Sequence, residues 1–379
     1  MGKTLGVGII GCGNISTTYL KLAPLFKRIE MRACADANPA AAKLRAEEYG
    51  IKAQSVDELL ANDDIDIVVN LTIPDAHFAV TKRILEAGKH AYSEKPLVLS
   101  LEQGQELKKL ADEKGLKVGC APDTFLGGAH QLARKAIDEG KVGTITSGTC
   151  HVMSHGMEHW HPNPDFFFKP GGGPILDLGP YYIANLINLI GPVKRVAAIT
   201  SMATPTRTIS SEPRKGETIP VETPTTIHAV LEFVEGATIT LSASWDVWAH
   251  RHENMELYGT DGSIFLPDPN FFGGDVKVGL PDKKKAKRLK GWKHPFGIPN
   301  QEHPQGAMAN YRTAGLADMA AAIVEKRDMR CSLERALHGV DVMMSILRSG
   351  EEKRFIDLET TCTRPEALGV AEAKALLRH

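Results

Sequence analysis

The sequence predicts two domains of different class, an α/β domain followed by an α+β domain. With 379 residues, the chain exceeds what one hydrophobic core usually holds. Its first third alternates short apolar runs with helix-like segments, which is typical of a parallel sheet covered by helices. The later part has longer runs in which apolar and polar residues alternate, as antiparallel strands do. We place the domains at residues 1–123 and 124–379.

Five buried strands are predicted in the first domain from its short apolar runs. They are Leu5–Ile10, Glu30–Ala35, Ile65–Leu71, His90–Ser93 and Lys117–Cys120. Two of the helices between them begin with the pattern of a capping box, in which a Ser and a Glu or Gln three residues later satisfy each other's backbone donors. The pairs are Ser55 with Glu58 and Ser100 with Gln103.

The second domain opens with a helix at about Gly128–Glu139 and continues with strands separated by Gly-containing turns. The predicted strands are Ile145–Met153, Thr225–Phe233, Ala237–Trp245 and Met255–Leu266. Helices at about Tyr181–Ile190, Ala314–Lys326 and Ser332–Leu347 would cover one face of this large, open, mostly antiparallel sheet. The other face would be a natural subunit interface, which predicts a homodimer or homotetramer.

Composition favours a small, neutral partner. The 45 Lys and Arg residues balance 46 Asp and Glu residues, so net charge gives no reason to expect nucleic acid or a membrane surface. The basic run Lys283–Lys290 contains no aromatic residue and is interpreted as a solvated loop. No apolar run approaches the roughly 18 residues of a membrane span. Six scattered cysteines without a C-x-x-C pair favour reduced thiols and hence the cytoplasm.

The turn after the first predicted strand has the glycine pattern of a dinucleotide-binding Rossmann domain. Gly11 would permit a tight turn, and Gly13 would let the backbone approach a pyrophosphate. The helix that begins at Asn14 and Ile15 would offer free N–H groups to the phosphates. Glycine in a turn between strand and helix can also serve the turn alone.

An acidic residue at the end of the second strand strengthens the dinucleotide interpretation. Asp36 stands close to the spacing at which a carboxylate meets the adenosine ribose. It would repel a 2′-phosphate, and the residues that follow it supply no cation, so the predicted cofactor is NAD. Asp36 also suits a turn before Pro39, and both roles can hold together.

Several segments together resemble the GFO/IDH/MocA oxidoreductases, grouped around glucose-fructose oxidoreductase, inositol dehydrogenase and MocA. Besides the glycine turn, they are Asn70–His77, Ser93–Pro96, Gly171–Tyr181 and Leu257–Ser263, in the family's order. The resemblance extends through essentially the whole chain. It implies an NAD-dependent enzyme that oxidises a sugar or polyol hydroxyl.

The resemblance also implies roles for individual residues. Thr72, Ile73, Pro74 and His77 would line the cofactor groove, Glu94 would contact the nicotinamide ribose, and Lys95, Asp177 and Tyr181 would be catalytic. Most members have His where this chain has Tyr181, which indicates the tyrosine-containing branch. Either Tyr181 or Lys95 would take the hydroxyl proton. From the residues alone, Asp177 could equally be a helix N-cap and Tyr181 a core residue after a flexible glycine loop.

The histidine-rich segment His151–His161 is predicted to be a substrate-facing loop. In it, His155, Trp160 and His161 would meet sugar hydroxyls and ring faces. A metal site is the alternative, but no zinc pattern is matched, and no metal is predicted. Asp123 could face the substrate or be a turn residue after Pro122. Tyr311 could lie beside the nicotinamide or have a packing role.

The predicted function is NAD-dependent oxidation of a sugar or polyol, with an aldose such as xylose or apiose oxidised to its lactone as the favoured case. Three alternatives remain. They are oxidation of inositol or another cyclic polyol, redox-neutral NAD-dependent cleavage of a glycoside, and NAD-linked ligand sensing. Lys95, Asp177 and Tyr181 together argue against a sensor that performs no chemistry.

Overall fold

The computed structural model describes residues 3–303 and 306–378. Within them the chain forms two compact units, which we describe separately. The first contains residues up to 128, 293–340 and 365 onward, and the second contains residues 129–292 and 341–364. This division differs from the predicted boundary at residue 123, because later segments return to the first unit. Ser332 pairs there with Gly119, and Leu377 pairs with Phe26.

A parallel six-stranded sheet forms the centre of the first unit. Its strands are β1 (Leu5–Ile10), β2 (Ile29–Ala35), β3 (Lys52–Ala53), β4 (Ile67–Asn70), β5 (His90–Ser93) and β6 (Val118–Cys120). Their order is β3-β2-β1-β4-β5-β6, so the direction of strand addition reverses between β1 and β4. The five predicted strands are confirmed within two residues. The prediction missed β3, because its two exposed residues form no apolar run.

Helices connect these strands. They are α1 (Asn14–Leu22), α2 (Pro39–Tyr49), α3 (Val56–Ala61), α4 (Pro74–Glu86) and α5 (Leu101–Lys114). The predicted capping box of α3 is present, with Glu58 donating its N–H to Ser55 Oγ and accepting the Ser55 N–H. At α5 only half of it forms, since Gln103 Oε1 accepts the N–H of Leu99 instead of Ser100.

The second unit contains a nine-stranded mixed sheet, a two-stranded sheet and several helices. The first of these helices are α6 (Gly128–Asp138), α7 (Pro174–Asp177) and α8 (Gly179–Leu189). The strands are β7 (Ile145–Met153), β8 (Val193–Ser201), β9 (Thr206–Thr208), β10 (Thr218–Pro220), β11 (Thr226–Phe233), β12 (Thr238–Ser244), β13 (Met255–Gly259), β14 (Gly262–Leu266), β15 (Lys277–Gly279) and β16 (Lys287–Arg288). The chain ends with α9 (Ala314–Glu325), α10 (Leu333–Glu352), β17 (Ile356–Asp357) and α11 (Val370–Leu376).

The large sheet has the order β16-β15-β14-β13-β7-β12-β11-β8-β17. Among the described strands β7 and β12 pair in parallel, and the other neighbours are antiparallel, as the sequence predicted. The prediction missed β8, whose apolar residues Ala197–Ile199 are consecutive and hide its period of two. The basic run Lys283–Lys290 contains edge strand β16, where exposed lysines discourage pairing with another chain.

Alternate residues of the central strands are buried. In β11, Ile227, Ala229 and Leu231 are buried, whereas His228 and Val230 are exposed on the opposite face. Among the described helices, none is long and apolar enough to cross a membrane.

Candidate active site

The glycine turn after β1 contains one position that requires glycine for backbone reasons and another that has open space around it. Gly11 has a φ of 104°, and a Cβ there would lie 2.6 Å from the Leu71 carbonyl carbon, so the fold itself requires glycine. At Gly13 a Cβ would meet no atom within 4 Å, so packing does not require glycine there. No side chain caps the N-terminus of α1, and its first turn contains no acidic residue. This end of α1 can therefore accept an anion.

Asp36 is held by backbone N–H groups on both carboxylate oxygens. Oδ2 accepts from Cys12 at 2.7 Å, which ties the residue to the glycine turn, and Oδ1 accepts from Asn38 at 2.8 Å. A carboxylate has about four acceptor positions, so capacity remains for hydroxyl donors. The bond to Asn38 is the turn role that the sequence suggested.

A cation that the sequence reasoning missed lies close to this turn. Arg45, on α2, donates from Nε to Ser16 Oγ at 3.3 Å and pairs with Glu48 at 2.6 Å. Because it lies nine residues beyond Asp36, the residues immediately after Asp36 gave no indication of it.

The segment after β4 is organised by buried polar groups. Thr72 donates its N–H and its hydroxyl to Asn70 Oδ1 at 3.2 and 2.7 Å. The ring nitrogens of His77 lie 2.6 Å from the Pro96 carbonyl oxygen and 3.0 Å from that of Thr72. With 1% of its surface exposed, His77 supports this segment from within, unlike the groove-lining position that the family resemblance implies. Ile73 is 67% exposed immediately before α4, which begins at Pro74.

Glu94 follows β5, and its carboxylate is fixed at both oxygens. Oε1 accepts the Tyr19 hydroxyl at 2.9 Å, and Oε2 accepts the Lys95 N–H at 3.0 Å. Lys95 itself is partly exposed. The glycine turn and Thr72 follow the carboxyl ends of β1 and β4, between which the strand order reverses, and Glu94 follows the neighbouring strand β5. In open α/β sheets this is the edge at which ligands bind.

Asp123 has the contacts of a buried helix cap. Its Oδ2 accepts the N–H groups of Thr313 and Gly315 at 3.0 and 2.9 Å, at the beginning of α9. Burial raises its pKa to about 6. Only 3% of the residue is exposed, which differs from the substrate-facing position considered for it. The bonds to α9 instead close the first unit around a segment that returns from much later in the chain.

Tyr311 has the packing contacts of the second role considered for it. Its hydroxyl donates to the Ile298 carbonyl oxygen at 3.0 Å, and its ring stacks on Phe296 at 5.0 Å.

In the second unit, three consecutive glycines form a fixed turn before α7. Gly171 and Gly173 both have a φ of 89°, and a Cβ on Gly172 would lie 2.5 Å from the Phe167 carbonyl oxygen. Each position therefore requires glycine for backbone reasons, in contrast to a flexible loop. Asp177 ends α7, and Tyr181 lies in the first turn of α8 with 8% of its surface exposed. The N-cap of α8 is Leu178, so Asp177 does not have the capping role.

The histidine-rich segment after β7 carries exposed aromatic groups. The ring of His155 stacks on Trp248, which the sequence reasoning did not single out and which is 82% exposed. Trp160 is 57% exposed and packs edge-to-face against His161, at a centroid distance of 5.4 Å. Burial and the charge of Arg207 lower the pKa of His155.

A cluster of buried charges anchors this segment. Arg207 donates to Glu158 Oε1 at 3.0 Å, forms an ion pair with Asp246 and donates to the Trp245 carbonyl oxygen at 3.1 Å. Asp246 also accepts the Thr225 and Thr226 hydroxyls. These charges come from separate segments, so no sequence motif identified them. Within residues 3–303 and 306–378, no three His, Cys, Asp or Glu side chains are placed to hold a metal ion.

Family comparisons match both parts of the chain. Residues 5–121 match the model of an oxidoreductase family with an NAD-binding Rossmann fold. Residues 130–265 match the GFO/IDH/MocA C-terminal domain.

Some of the similar proteins are named dehydrogenases of sugars or polyols, and others are uncharacterized oxidoreductases. Inositol 2-dehydrogenase of Rhizobium meliloti is 32% identical over 45% of this chain and 50% of its own length. D-xylose dehydrogenase of Paenarthrobacter nicotinovorans is 26% identical over 84% of both chains. Several curated relatives are matched over only 39 to 50% of their length.

Solved structures show the same fold. A levoglucosan dehydrogenase in complex with NADH superposes with a TM-score of 0.79 at 22% identity, covering 94% of this chain and 100% of the other. Two models of one family match this chain, and the geometry of its glycine turn agrees with them. This chain therefore belongs to the GFO/IDH/MocA oxidoreductase family.

Proposed function

We propose that this protein oxidises a sugar or polyol hydroxyl with NAD as the cofactor. The observation that carries the proposal is the open backbone at Gly13, in front of the uncapped N-terminus of α1. Asp36 and Glu94, which are fixed by backbone and tyrosine donors, follow strands of the same sheet. This donor and acceptor set fits a dinucleotide, because it offers N–H groups for phosphate and carboxylates for two riboses.

The chain's residues would hold the cofactor as follows. Gly13, Asn14 and Ile15 would hold the pyrophosphate, Asp36 the adenosine ribose and Glu94 the nicotinamide ribose. Thr72, Ile73 and Pro74 would border the same groove, with His77 supporting them. Bound NAD would supply the acceptor for the hydride that leaves the substrate carbon.

Lys95, Asp177 and Tyr181 are the proposed catalytic residues. Tyr181 or Lys95 would take the hydroxyl proton as the carbon is oxidised, and Asp177 would orient that hydroxyl. The fixed glycine turn and the helical setting of Tyr181 support this, since they hold two of these side chains on ordered backbone. His155, Trp160 and His161 are the proposed substrate contacts, because the exposed ring of Trp160 suits a sugar face and the two partly buried imidazoles can bond to hydroxyls.

An aldose such as xylose or apiose, oxidised at the anomeric carbon to the lactone, is the preferred substrate. The D-xylose dehydrogenase match over 84% of both chains favours it. Inositol or another cyclic polyol is the second candidate, favoured by the match to inositol 2-dehydrogenase. A screen for NADH formation across aldoses, inositols and sugar acids tests both. Redox-neutral glycoside cleavage or ligand sensing would give no net NADH with any free sugar.

Lys95→Ala tests the catalytic assignment. We expect NADH binding to remain close to that of the wild type, with kcat reduced by about 10² to 10⁴, the range for loss of a positioned proton-transfer group. Isothermal titration calorimetry and initial rates measure the two quantities. Lys109→Ala, which removes an exposed lysine of α5, is the matched control and should leave both unchanged. Undiminished turnover in Lys95→Ala would refute the assignment.

Two further proposals concern assembly and compartment. The exposed face of the large sheet carries Ile199 and Val230, and we propose that it joins two or four copies of the chain. Light scattering of Val230→Lys tests this, because a buried lysine would separate the copies. We also propose the cytoplasmic location predicted from the sequence, because the six cysteines are scattered without a C-x-x-C pair. Localisation of a tagged chain tests it.

A further inference from the structure

We propose that Tyr19 is a positioning residue for cofactor binding, acting through Glu94. Its hydroxyl donates to Glu94 Oε1 at 2.9 Å, across 75 residues of sequence. This inference rests on the proposed role of Glu94 toward the nicotinamide ribose. It assigns a function to a residue that no motif in the sequence identified.

Each oxygen of the Glu94 carboxylate accepts a hydrogen bond from a different donor. Tyr19 holds Oε1, and the Lys95 N–H holds Oε2. With each oxygen fixed by one donor, the remaining acceptor positions point in defined directions. Without the tyrosine hydroxyl, the carboxylate would lose the donor to Oε1 and keep the Lys95 N–H on Oε2, so it could rotate more freely. The Tyr19 hydroxyl therefore restricts the rotation of the Glu94 carboxylate before the ribose binds. Ribose binding then costs less conformational entropy.

Tyr19 is itself held rigidly. It is 2% exposed, and its ring packs edge-to-face against Tyr92 with a centroid distance of 6.5 Å. Burial and the negative charge of Glu94 raise the pKa of Tyr19 well above its ordinary value. The hydroxyl consequently remains a donor throughout the pH range of an enzyme assay.

The position of Tyr19 connects two parts of the proposed groove. Tyr19 lies on α1, six residues after Gly13, which corresponds to about 9 Å along the helix axis. The same helix thus presents its free N–H groups at one end and the donor to Glu94 further along. A shift of α1 would change both, so this contact couples the phosphate and nicotinamide ends of the site.

The test is a double-mutant cycle on the full chain, with NADH affinity measured by isothermal titration calorimetry. Tyr19→Phe should weaken NADH binding about tenfold, as expected for losing a hydrogen bond to a charged group. Glu94→Ala should weaken it at least as much, and Tyr19→Phe should add less than about twofold in the Glu94→Ala background. A KM for NAD that rises with kcat nearly unchanged at saturation is the matching kinetic result.

Tyr92→Phe is the matched control. Tyr92 is fully buried against Tyr19, yet its hydroxyl has no hydrogen-bond partner in the described residues. Its removal should leave NADH affinity within about twofold of the wild type. Should Tyr19→Phe lower the melting temperature, this control separates a general packing effect from an effect on binding, since both variants remove one buried hydroxyl.

Three outcomes would overturn the inference. Wild-type affinity in Tyr19→Phe, together with loss in Glu94→Ala, would refute the role of Tyr19 alone. Fully additive effects of the two substitutions would show that Tyr19 does not act through Glu94. A wild-type chain that binds no NADH would refute the proposed function itself, and this inference with it.

Discussion

The two compact units each carry a glycine-rich turn before a helix, and they use glycine for different reasons. In the first unit, Gly11 is required by its positive φ and by the nearby Leu71 backbone, whereas Gly13 has open space around it. In the second, Gly171 and Gly173 have positive φ, and Gly172 approaches the Phe167 carbonyl oxygen closely. The second turn is explained entirely by folding. At Gly13 neither packing nor a positive φ requires glycine, and this open space is where the proposed pyrophosphate would approach the backbone.

Polar groups are held in different ways in the two units. In the first unit, Glu94 accepts the N–H of its sequence neighbour Lys95, and Asp123 accepts the N–H groups of Thr313 and Gly315 from much later in the chain. In the second unit, Arg207 is buried between two carboxylates, those of Glu158 and Asp246. In the first unit these two carboxylates are fixed by backbone donors, whereas in the second a single side-chain cation joins carboxylates from two other segments. The comparison leads to three predictions.

The largest effect is expected for Arg207→Met. Arg207 is 8% exposed, and its removal leaves two buried carboxylates without their cation. Breaking a buried pair in this way costs about 3–5 kcal/mol of unfolding free energy. Chemical denaturation measures this loss.

Arg214→Met is the control for this substitution. Arg214 also bridges two carboxylates of the second unit, Asp165 and Glu217, but it does so near the surface. Its loss should cost at most about 1 kcal/mol. Equal losses in the two variants would show that burial of the Arg207 cluster does not determine its contribution.

The same difference explains how much the sequence could predict. The glycine turn, Asp36 and Glu94 belong to short patterns with a fixed relation to strands, so their positions were predictable. Arg207 lies 49 residues from Glu158 and 39 from Asp246, and no pattern specifies which distant charges will meet. Tyr19 was missed for the same reason. Strand β8 was missed because consecutive apolar residues hide its alternation. The buried cap formed by Asp123 depends on a segment that returns from residue 313.

The second prediction uses two buried groups whose titrations affect stability in opposite directions. Burial raises the pKa of Asp123 in the first unit to about 6, above the ordinary value of 3.8. Its contribution to stability is therefore complete below about pH 3.8 and is lost as the pH rises to about 6. Asp123→Asn lacks this loss but can still accept the two α9 N–H groups. Relative to the wild type, its unfolding free energy should increase by about 2 kcal/mol between pH 4 and 7.

Titration of His130, in the second unit, changes the stability with pH in the opposite direction. Burial lowers its pKa to about 4, from an ordinary value of 6.5. Its contribution to stability is present above about pH 6.5 and is lost as the pH falls to about 4. Relative to the wild type, His130→Asn should therefore lose about 3 kcal/mol over the same rise in pH. Urea denaturation at several pH values measures both variants. Parallel pH profiles for both variants and the wild type would contradict the assigned titrations.

The third prediction separates the two glycine turns directly. Gly13→Ala places a methyl group where no protein atom lies within 4 Å, so its unfolding free energy should fall by no more than about 1 kcal/mol, the cost of alanine at this N-cap. Its NADH affinity should fall at least tenfold, which corresponds to about 1.4 kcal/mol, because the methyl group occupies the space proposed for the pyrophosphate. Gly173→Ala, at a φ of 89° and a ψ of 162°, should do the reverse. It should lose about 1–3 kcal/mol of stability, since only glycine adopts this conformation without strain, and keep its NADH affinity.

Calorimetric titration and denaturation of both variants measure the two effects. A Gly13→Ala protein that binds NADH like the wild type would remove the main support for the cofactor site. A Gly13→Ala protein destabilised by clearly more than about 1 kcal/mol would instead mean that this glycine serves the fold, as those of the second unit do.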